Sequence, residues 1–343
     1  MLRRTFLGVA GAAVLAPAET NPPVRLGIDL FSIRSSPYSP TEFLDYAAKQ
    51  GAKVVHFSEI RFIGSLDDAN LKQVREHADK LGIQVEIGMR SICPTSKAFD
   101  PTRGAAQEQI ERMIHAATVV GSPIVRAFLG TAEDRQGPVP IEGHIENTVK
   151  VLKSVRSRVL DSGLKVAIEN HAGDMQAREL KVLIEEAGKD YVGACLDSGN
   201  PVWAIEDPHL TLETLYPYVL TSHVRDSAVW RIPEGAAVAW TRMGEGDVGI
   251  DEWVKKYVRL CPGRALSMET IVIPARKYPY FDPKFWGPYR NTPASEFSRF
   301  VSLVDKGKPI PPPPAAPKGK EAEQERADLE ASMAWTKKLL NVP

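Results

Sequence analysis

Cysteine is scarce in this chain. Three cysteines among 343 residues (Cys93, Cys195 and Cys261), none in a C-x-x-C pair, exclude a disulfide framework and a zinc-finger fold. Cys195 sits inside an apolar run and reads as a small core residue. An excess of either charge is also lacking: Lys+Arg and Asp+Glu both number 43. Without a basic bias there is no footprint for nucleic acid, and no nucleic-acid partner is expected. No apolar run is long enough to span a bilayer. No glycine-rich loop follows the first apolar run, as a nucleotide-binding open sheet would require, and Gly27 alone does not supply one. Gly244-Glu245-Gly246 has neither the lysine nor the preceding strand of a phosphate loop and reads as a turn. Beyond an alternation of strands and helices there is no internal repeat.

The first eighteen residues follow a separate logic. Arg3 and Arg4 precede an apolar run from Phe6 to Leu15, and Ala16-Pro17-Ala18 fits a small-x-small cleavage site. The paired arginines resemble a twin-arginine export signal. The mature chain is therefore expected to be exported, to the periplasm or outside the cell, with the export machinery as a partner.

From Arg25 onward, apolar runs alternate with helical stripes. Strand-like runs at 25–31, 53–59, 83–87, 123–128, 165–169, 193–197, 219–223 and 265–269 are separated by segments such as 177–187, where Leu180, Leu183, Ile184 and Ala187 repeat at helical spacing. Eight such units over about 280 residues match the size and order of a (β/α)8 TIM barrel, an α/β fold. The barrel is placed at 24–305. Two long loops are expected at its C-terminal face, 226–249 and 270–292, the second rich in aromatics that read as a packed lid or subunit contact rather than a sugar platform. Residues 306–343 read as a proline-rich linker and a charged helix from Glu321 to Leu340. Leu329, Met333, Trp335 and Leu339 give that helix an apolar side with which to dock on the barrel or on a partner.

Four of the strand-like runs end in a polar residue: Glu169, Asp197, His223 and Glu269, spaced 28, 26 and 46 residues apart. One βα unit covers each of the first two intervals, and a unit with a long loop covers the third. All four residues then sit at the C-terminal rim of the barrel. Three carboxylates brought that close repel one another unless a cation lies between them. Oxygen donors with one imidazole suit one divalent ion, Mn²⁺ first, with Mg²⁺, Co²⁺ and Zn²⁺ as alternatives. A strand-end carboxylate taken singly reads as a helix cap or loop salt bridge, and a lone histidine as structural. The set of four in register points to a metal site.

These motifs, Ile168-Glu169-Asn170-His171, Leu196-Asp197-Ser198-Gly199-Asn200, His223-Val224-Arg225-Asp226, Gly244-Glu245-Gly246-Asp247 and Met268-Glu269, resemble the xylose isomerase-like TIM barrels, the sugar phosphate isomerase/epimerase family, over Arg25 to about Asp305. The resemblance implies that Glu169, Asp197, His223 and Glu269 bind one divalent metal. It also implies that Glu169 and Glu269 act as base and acid in proton transfer through an enediolate, giving epimerisation or isomerisation. It further implies that His171 and Arg225 hydrogen-bond substrate oxygens or the metal ligands, with Asn200 also at the substrate. Asn200 departs from the histidine that many family members carry at this position; an amide binds a hydroxyl but does not shuttle a proton. The DNA-repair branch, with three zinc ions, uses more histidines than this chain places near strand ends (His56, His171 and His223).

Export and the lack of an Arg/Lys cluster favour free sugars, keto-sugars or glycosides over sugar phosphates. The expected partner is thus a small carbohydrate, with a homo-oligomer as a further expectation. Two alternatives share the same residues: a metal-dependent lyase or dehydratase acting on keto-sugars or glycosides, and a non-catalytic exported carbohydrate-binding protein.

Overall fold

The computed structural model describes residues 24–342; the expected export signal lies outside them. Eight parallel strands form the barrel: β1 (Arg25–Asp29), β2 (Val54–Phe57), β3 (Gln84–Ser91), β4 (Ile124–Phe128), β5 (Lys165–Glu169), β6 (Val192–Asp197), β7 (Val219–His223) and, after a two-stranded insertion, β10 (Ala265–Met268). They pair in the order β10-β1-β2-β3-β4-β5-β6-β7. The ring closes beyond the end of β7, where Val224 bridges Met268 and exchanges backbone hydrogen bonds with Ser267 and Glu269 (2.7 and 3.0 Å). The fold is therefore the (β/α)8 barrel expected from the alternating pattern.

The flanking helices form where local chemistry favours them. Ser39 and Glu42 make a reciprocal capping box at the start of the helix Pro40–Lys49, which has proline in its first turn. Gly82 and Gly121 end two helices in the left-handed conformation. The Leu180, Leu183, Ile184 and Ala187 stripe is buried on the helix Ala177–Ala187. These stripes and the outward-facing strand residues make one continuous core around the barrel.

The segment 226–249 departs from the expected loop. It contains a hairpin, β8 (Asp226–Ile232) and β9 (Gly235–Thr241), to which β11 (Arg276–Tyr278) adds an antiparallel third strand. Nearly every hairpin residue is buried. A strand covered on both faces shows no polar/apolar alternation, so its sequence does not advertise it. The aromatic stretch 278–289 packs beneath this small sheet: Tyr278, Tyr280 and Tyr289 share a cluster with Phe300 and Val304. That is the packed-lid reading, with Phe281 left exposed.

The C-terminal helix Glu321–Leu340 docks on the barrel. Leu329 and Met333 are buried, Thr336 Oγ1 lies 3.4 Å from the Met268 sulfur, and Asp328 pairs with Arg242 at 2.6 Å. Trp335 of this helix lies over Gly244, whose φ of +84° is a left-handed value. Gly244→Ala places a methyl group against the indole and strains the backbone. It is expected to lower unfolding free energy by more than about 1 kcal/mol in a chemical denaturation measurement; an unchanged midpoint and slope would contradict this docking.

Candidate metal centre

In parallel strands alternate residues face the barrel interior. Asp29, His56, Arg126, Glu169, Asp197 and His223 all occupy inward positions near the C-terminal ends of their strands, and Glu269 follows β10. Register sets Asp197 of β6 directly beside His223 of β7. Asn170 clips the ends of β5 and β6 together: its side-chain oxygen accepts from the Asp197 amide (2.9 Å) and its amide donates to the Asp197 carbonyl (3.0 Å). Glu169, Asp197, His223 and Glu269 each bring one ligand atom within 4.8 Å of the others. All four are buried.

The donor set fits a divalent ion in three respects. Three carboxylates and one imidazole are the ligands of a hard or borderline cation. His223 Nδ1 is buried without a hydrogen-bond partner and stands 3.1 Å from an oxygen of both Glu169 and Glu269. Its other nitrogen, Nε2, is occupied by His56 Nδ1 at 2.9 Å and Asp29 Oδ2 at 3.3 Å. This is how a ligating histidine is oriented by its outer neighbours. Finally, the buried carboxyl groups Asp29, Glu86, Glu169, Asp197 and Glu269 outnumber the two buried guanidinium groups, Arg126 and Arg225, and a cation among the ligands relieves the repulsion between them.

The arginines are spread over the carboxylates. Arg126 Nε donates to Glu169 (2.6 Å) and its Nη1 to the Met89 carbonyl (3.2 Å). Arg225 Nη2 pairs with Asp197 (2.6 Å) and with Glu269. Burial opposes the charged form of every carboxyl here. It prevails at Asp29 and Asp197, raising each to about 7. At Glu169 burial is overcome by Arg126 and His223, which hold the carboxyl well below its ordinary range; at Glu269, Arg225 and His223 outweigh burial and lower the carboxyl.

Of the other residues singled out in the sequence, Arg225 and Asn200 join the centre. Asn200 donates to Glu169 Oε1 at 3.2 Å, and its side-chain oxygen has no partner. His171 stands at the rim, half-buried, stacked on Phe128 at 3.8 Å with Nδ1 2.7 Å from the Gly130 carbonyl. Cys195 is buried as expected and packs with Ile124 and Ala167, but its sulfur also lies beside Glu169 and His223. Burial pushes its thiol up to about 12, so it stays neutral. Asp29 and Arg126 are site residues that the sequence reading passed over. Their signal is a single charged side chain inside an apolar strand, Leu-Gly-Ile-Asp and Ile-Val-Arg-Ala-Phe.

A layered stack roofs the centre. The Arg225 guanidinium lies 4.3 Å from the Trp240 ring, Trp240 stacks on Trp203 at 3.8 Å, and Arg276 lies 3.6 Å above Trp203. Trp240 Nε1 donates to the Gly199 carbonyl (2.9 Å). Any Cβ at Gly199 would run into the Arg225 side chain, so glycine is what lets the arginine lie flat there.

Comparison with known proteins agrees with this architecture. The chain is 24% identical over 196 residues to the 3-oxo-isoapionate decarboxylase of Pectobacterium atrosepticum, covering 57% of this chain and 64% of that relative, less than two thirds of its length. A D-psicose 3-epimerase crystallised with D-fructose superposes with a TM-score of 0.59 at 18% identity, covering 92% of this chain and 99% of the epimerase. The IOLI protein, solved with a bound zinc atom, gives 0.57 at 15% identity, covering 84% and 100%. At these identities the two structural likenesses speak for the fold alone. The family profile of xylose isomerase-like TIM barrels matches residues 44–272, and the chain belongs to that family.

Proposed function

We propose that this protein is a divalent-metal-dependent sugar isomerase or epimerase acting by proton transfer on a non-phosphorylated sugar or keto-sugar. One observation carries the reading: Glu169 and Glu269, from different strands, each stand 3.1 Å from His223 Nδ1 within a four-ligand cluster. Glu169, Asp197, His223 and Glu269 would hold the ion, Mn²⁺ first among the candidates. When bound, it supplies Lewis acidity that makes a C–H beside a carbonyl easier to ionise.

The chain's own groups do the rest. Glu169 takes a proton from carbon, and Glu269 returns one to the opposite face for epimerisation or to the adjacent carbon for isomerisation. The unpartnered atoms Asn200 Oδ1 and Arg225 Nε are buried polar groups that need a partner, and sugar hydroxyls provide it. His171, fixed by Gly130 and Phe128, meets the substrate at the rim. The export expected from the N-terminal sequence favours a free or oxidised sugar over a phosphorylated one.

Metal content measured in the wild type, Asp197→Ala and His223→Ala tests the centre; undiminished metal in both variants would sink it. A panel of sugars and keto-sugars in D₂O with Mn²⁺, read for both exchange and product mass, tests the chemistry. A lyase reading has support in the likeness to a protein named as a decarboxylase. It predicts loss of a fragment rather than a product of unchanged mass.

Asp29 acts through His223. Its Oδ1 accepts from the Phe31 amide (2.8 Å) and Ser58 (3.0 Å), and its Oδ2 faces His223 Nε2. Asp29→Asn keeps the shape and removes the charge. It is expected to weaken metal affinity by about 10–100-fold in a chelator competition, the usual cost of losing such a partner. Equal affinity would show that Asp29 does not position the ligand.

A further inference from the structure

Beside the roofed centre lies a cleft of about 760 Å³. It begins at Thr270, the residue after Glu269, and at Trp240, whose ring is 4.3 Å from the Arg225 guanidinium. Its far wall is the proline segment 310–316 together with the C-terminal helix, which lie beyond the residues matched by the family profile. The strap is anchored at both ends. The Lys308 amide donates to Asp247 at 3.1 Å, and the helix is held by buried Leu329 and Met333.

We infer that the substrate is a keto-glycoside, an oxidised sugar ring bearing an apolar, ring-containing aglycone, and that this cleft seats the aglycone; the inference rests on the sugar-processing reading above. Unoxidised glycosides serve as its unreactive binding probes. Size is the first argument. The volume falls within the roughly 300–1,000 Å³ of small-molecule sites, and a monosaccharide held at the four ligands leaves it unused. The lining is the second. Ile271, Ile273, Ile310 and the prolines make an apolar strip against which a flat ring packs, and Trp240, its faces covered by Arg225 and Trp203, closes the inner end. Glu321 and Gln324 of the helix also line the cleft, and their side-chain oxygens can accept from phenolic hydroxyls on such a ring.

Charge is the third argument. The two cations lining the cleft, Arg34 and Arg242, are already paired with Glu325 (3.4 Å) and Asp328 (2.6 Å). With Glu245 and Glu321 added, the lining is acidic, which disfavours a phosphate or carboxylate in that position. The proline segment and the C-terminal helix thus form the wall that selects what the sugar is attached to.

The test titrates the full-length protein, with Mn²⁺ present, by calorimetry and by quenching of tryptophan fluorescence. The ligands are p-nitrophenyl β-D-glucoside, methyl β-D-glucoside and cellobiose. The aryl glycoside is expected to bind about tenfold or more tighter than the methyl glycoside, as burial of one ring provides. Ile273→Asp and Ile310→Asp, each confirmed as folded by circular dichroism, should erase that preference and leave methyl glucoside binding unchanged. Equal affinity for the two glucosides, tighter binding of cellobiose, a preference that survives both substitutions, or no binding of either glucoside would each overturn the inference. Deuterium exchange separates the two levels. Exchange into free sugars without an aryl preference refutes the aglycone seat alone, whereas an aryl preference without exchange from any sugar refutes the isomerase reading and leaves the seat standing.

Discussion

Glu169→Gln and Glu269→Gln are each expected to lower solvent-deuterium incorporation into the sugar by about 10²–10⁴-fold, the usual contribution of a positioned acid or base. The substitution is chosen for its economy. A glutamine keeps the length of the side chain and one oxygen toward the cluster, so Asp197, His223 and the remaining glutamate still form most of the ligand set. What it cannot do is accept a proton from carbon. The two variants should also differ in kind. Glu169 is held ionised by Arg126 and His223, which suits a group that must begin as the base. Glu269 shares Arg225 with Asp197, so its loss frees that arginine to move entirely to Asp197. Exchange followed by NMR, with metal content measured on the same samples, checks the prediction. If both variants exchange within about threefold of wild type at full metal occupancy, proton transfer belongs to other groups.

Arg126→Met should destabilise the metal-free protein by about 3–5 kcal/mol, because it removes one member of a buried ion pair and leaves the Glu169 carboxylate with only His223 and Asn200 beside it. In a chain of this length that corresponds to a fall in Tm on the order of 10 °C. Methionine fills most of the volume of the arginine stem, so the loss is electrostatic rather than a cavity. The second half of the expectation is the diagnostic one. A divalent cation and the Arg126 guanidinium neutralise the same carboxylate, so removing the arginine should strengthen metal binding. Adding Mn²⁺ should then raise the Tm of Arg126→Met by more than it raises that of the wild type, since stabilisation by a ligand grows with its affinity for the native state. A metal-induced shift no larger than the wild type's would show that the arginine and the cation do not compete. An unchanged Tm without metal would show that the Glu169–Arg126 pair contributes nothing net.

The sequence by itself determined the barrel and the four clustered strand-end residues. Both are written in local pattern. Apolar runs and helical stripes repeat eight times, and Glu169, Asp197, His223 and Glu269 each stand where an apolar run stops, so a one-dimensional reading places them at one level. The same holds for the apolar side of the C-terminal helix, where Leu329 and Met333 are visible as residues that must be covered.

Tertiary structure decided what the pattern could not carry. Asp29 and Arg126 are single charges within strands, and whether such a residue faces the helices or the barrel interior depends on register and closure. Only the assembled ring turns both toward Glu169 and His223. The β8–β9 hairpin went unread because it is buried on both faces and shows no alternation. An apolar stripe states that a helix must be covered but not by what. Docking of Glu321–Leu340 beside β10, with the proline segment lining the cleft next to Trp240 and Thr270, depends on contacts such as Thr336 with Met268 and Asp328 with Arg242. Those pairs lie 68 and 86 residues apart in the chain, and no periodicity within either segment records them.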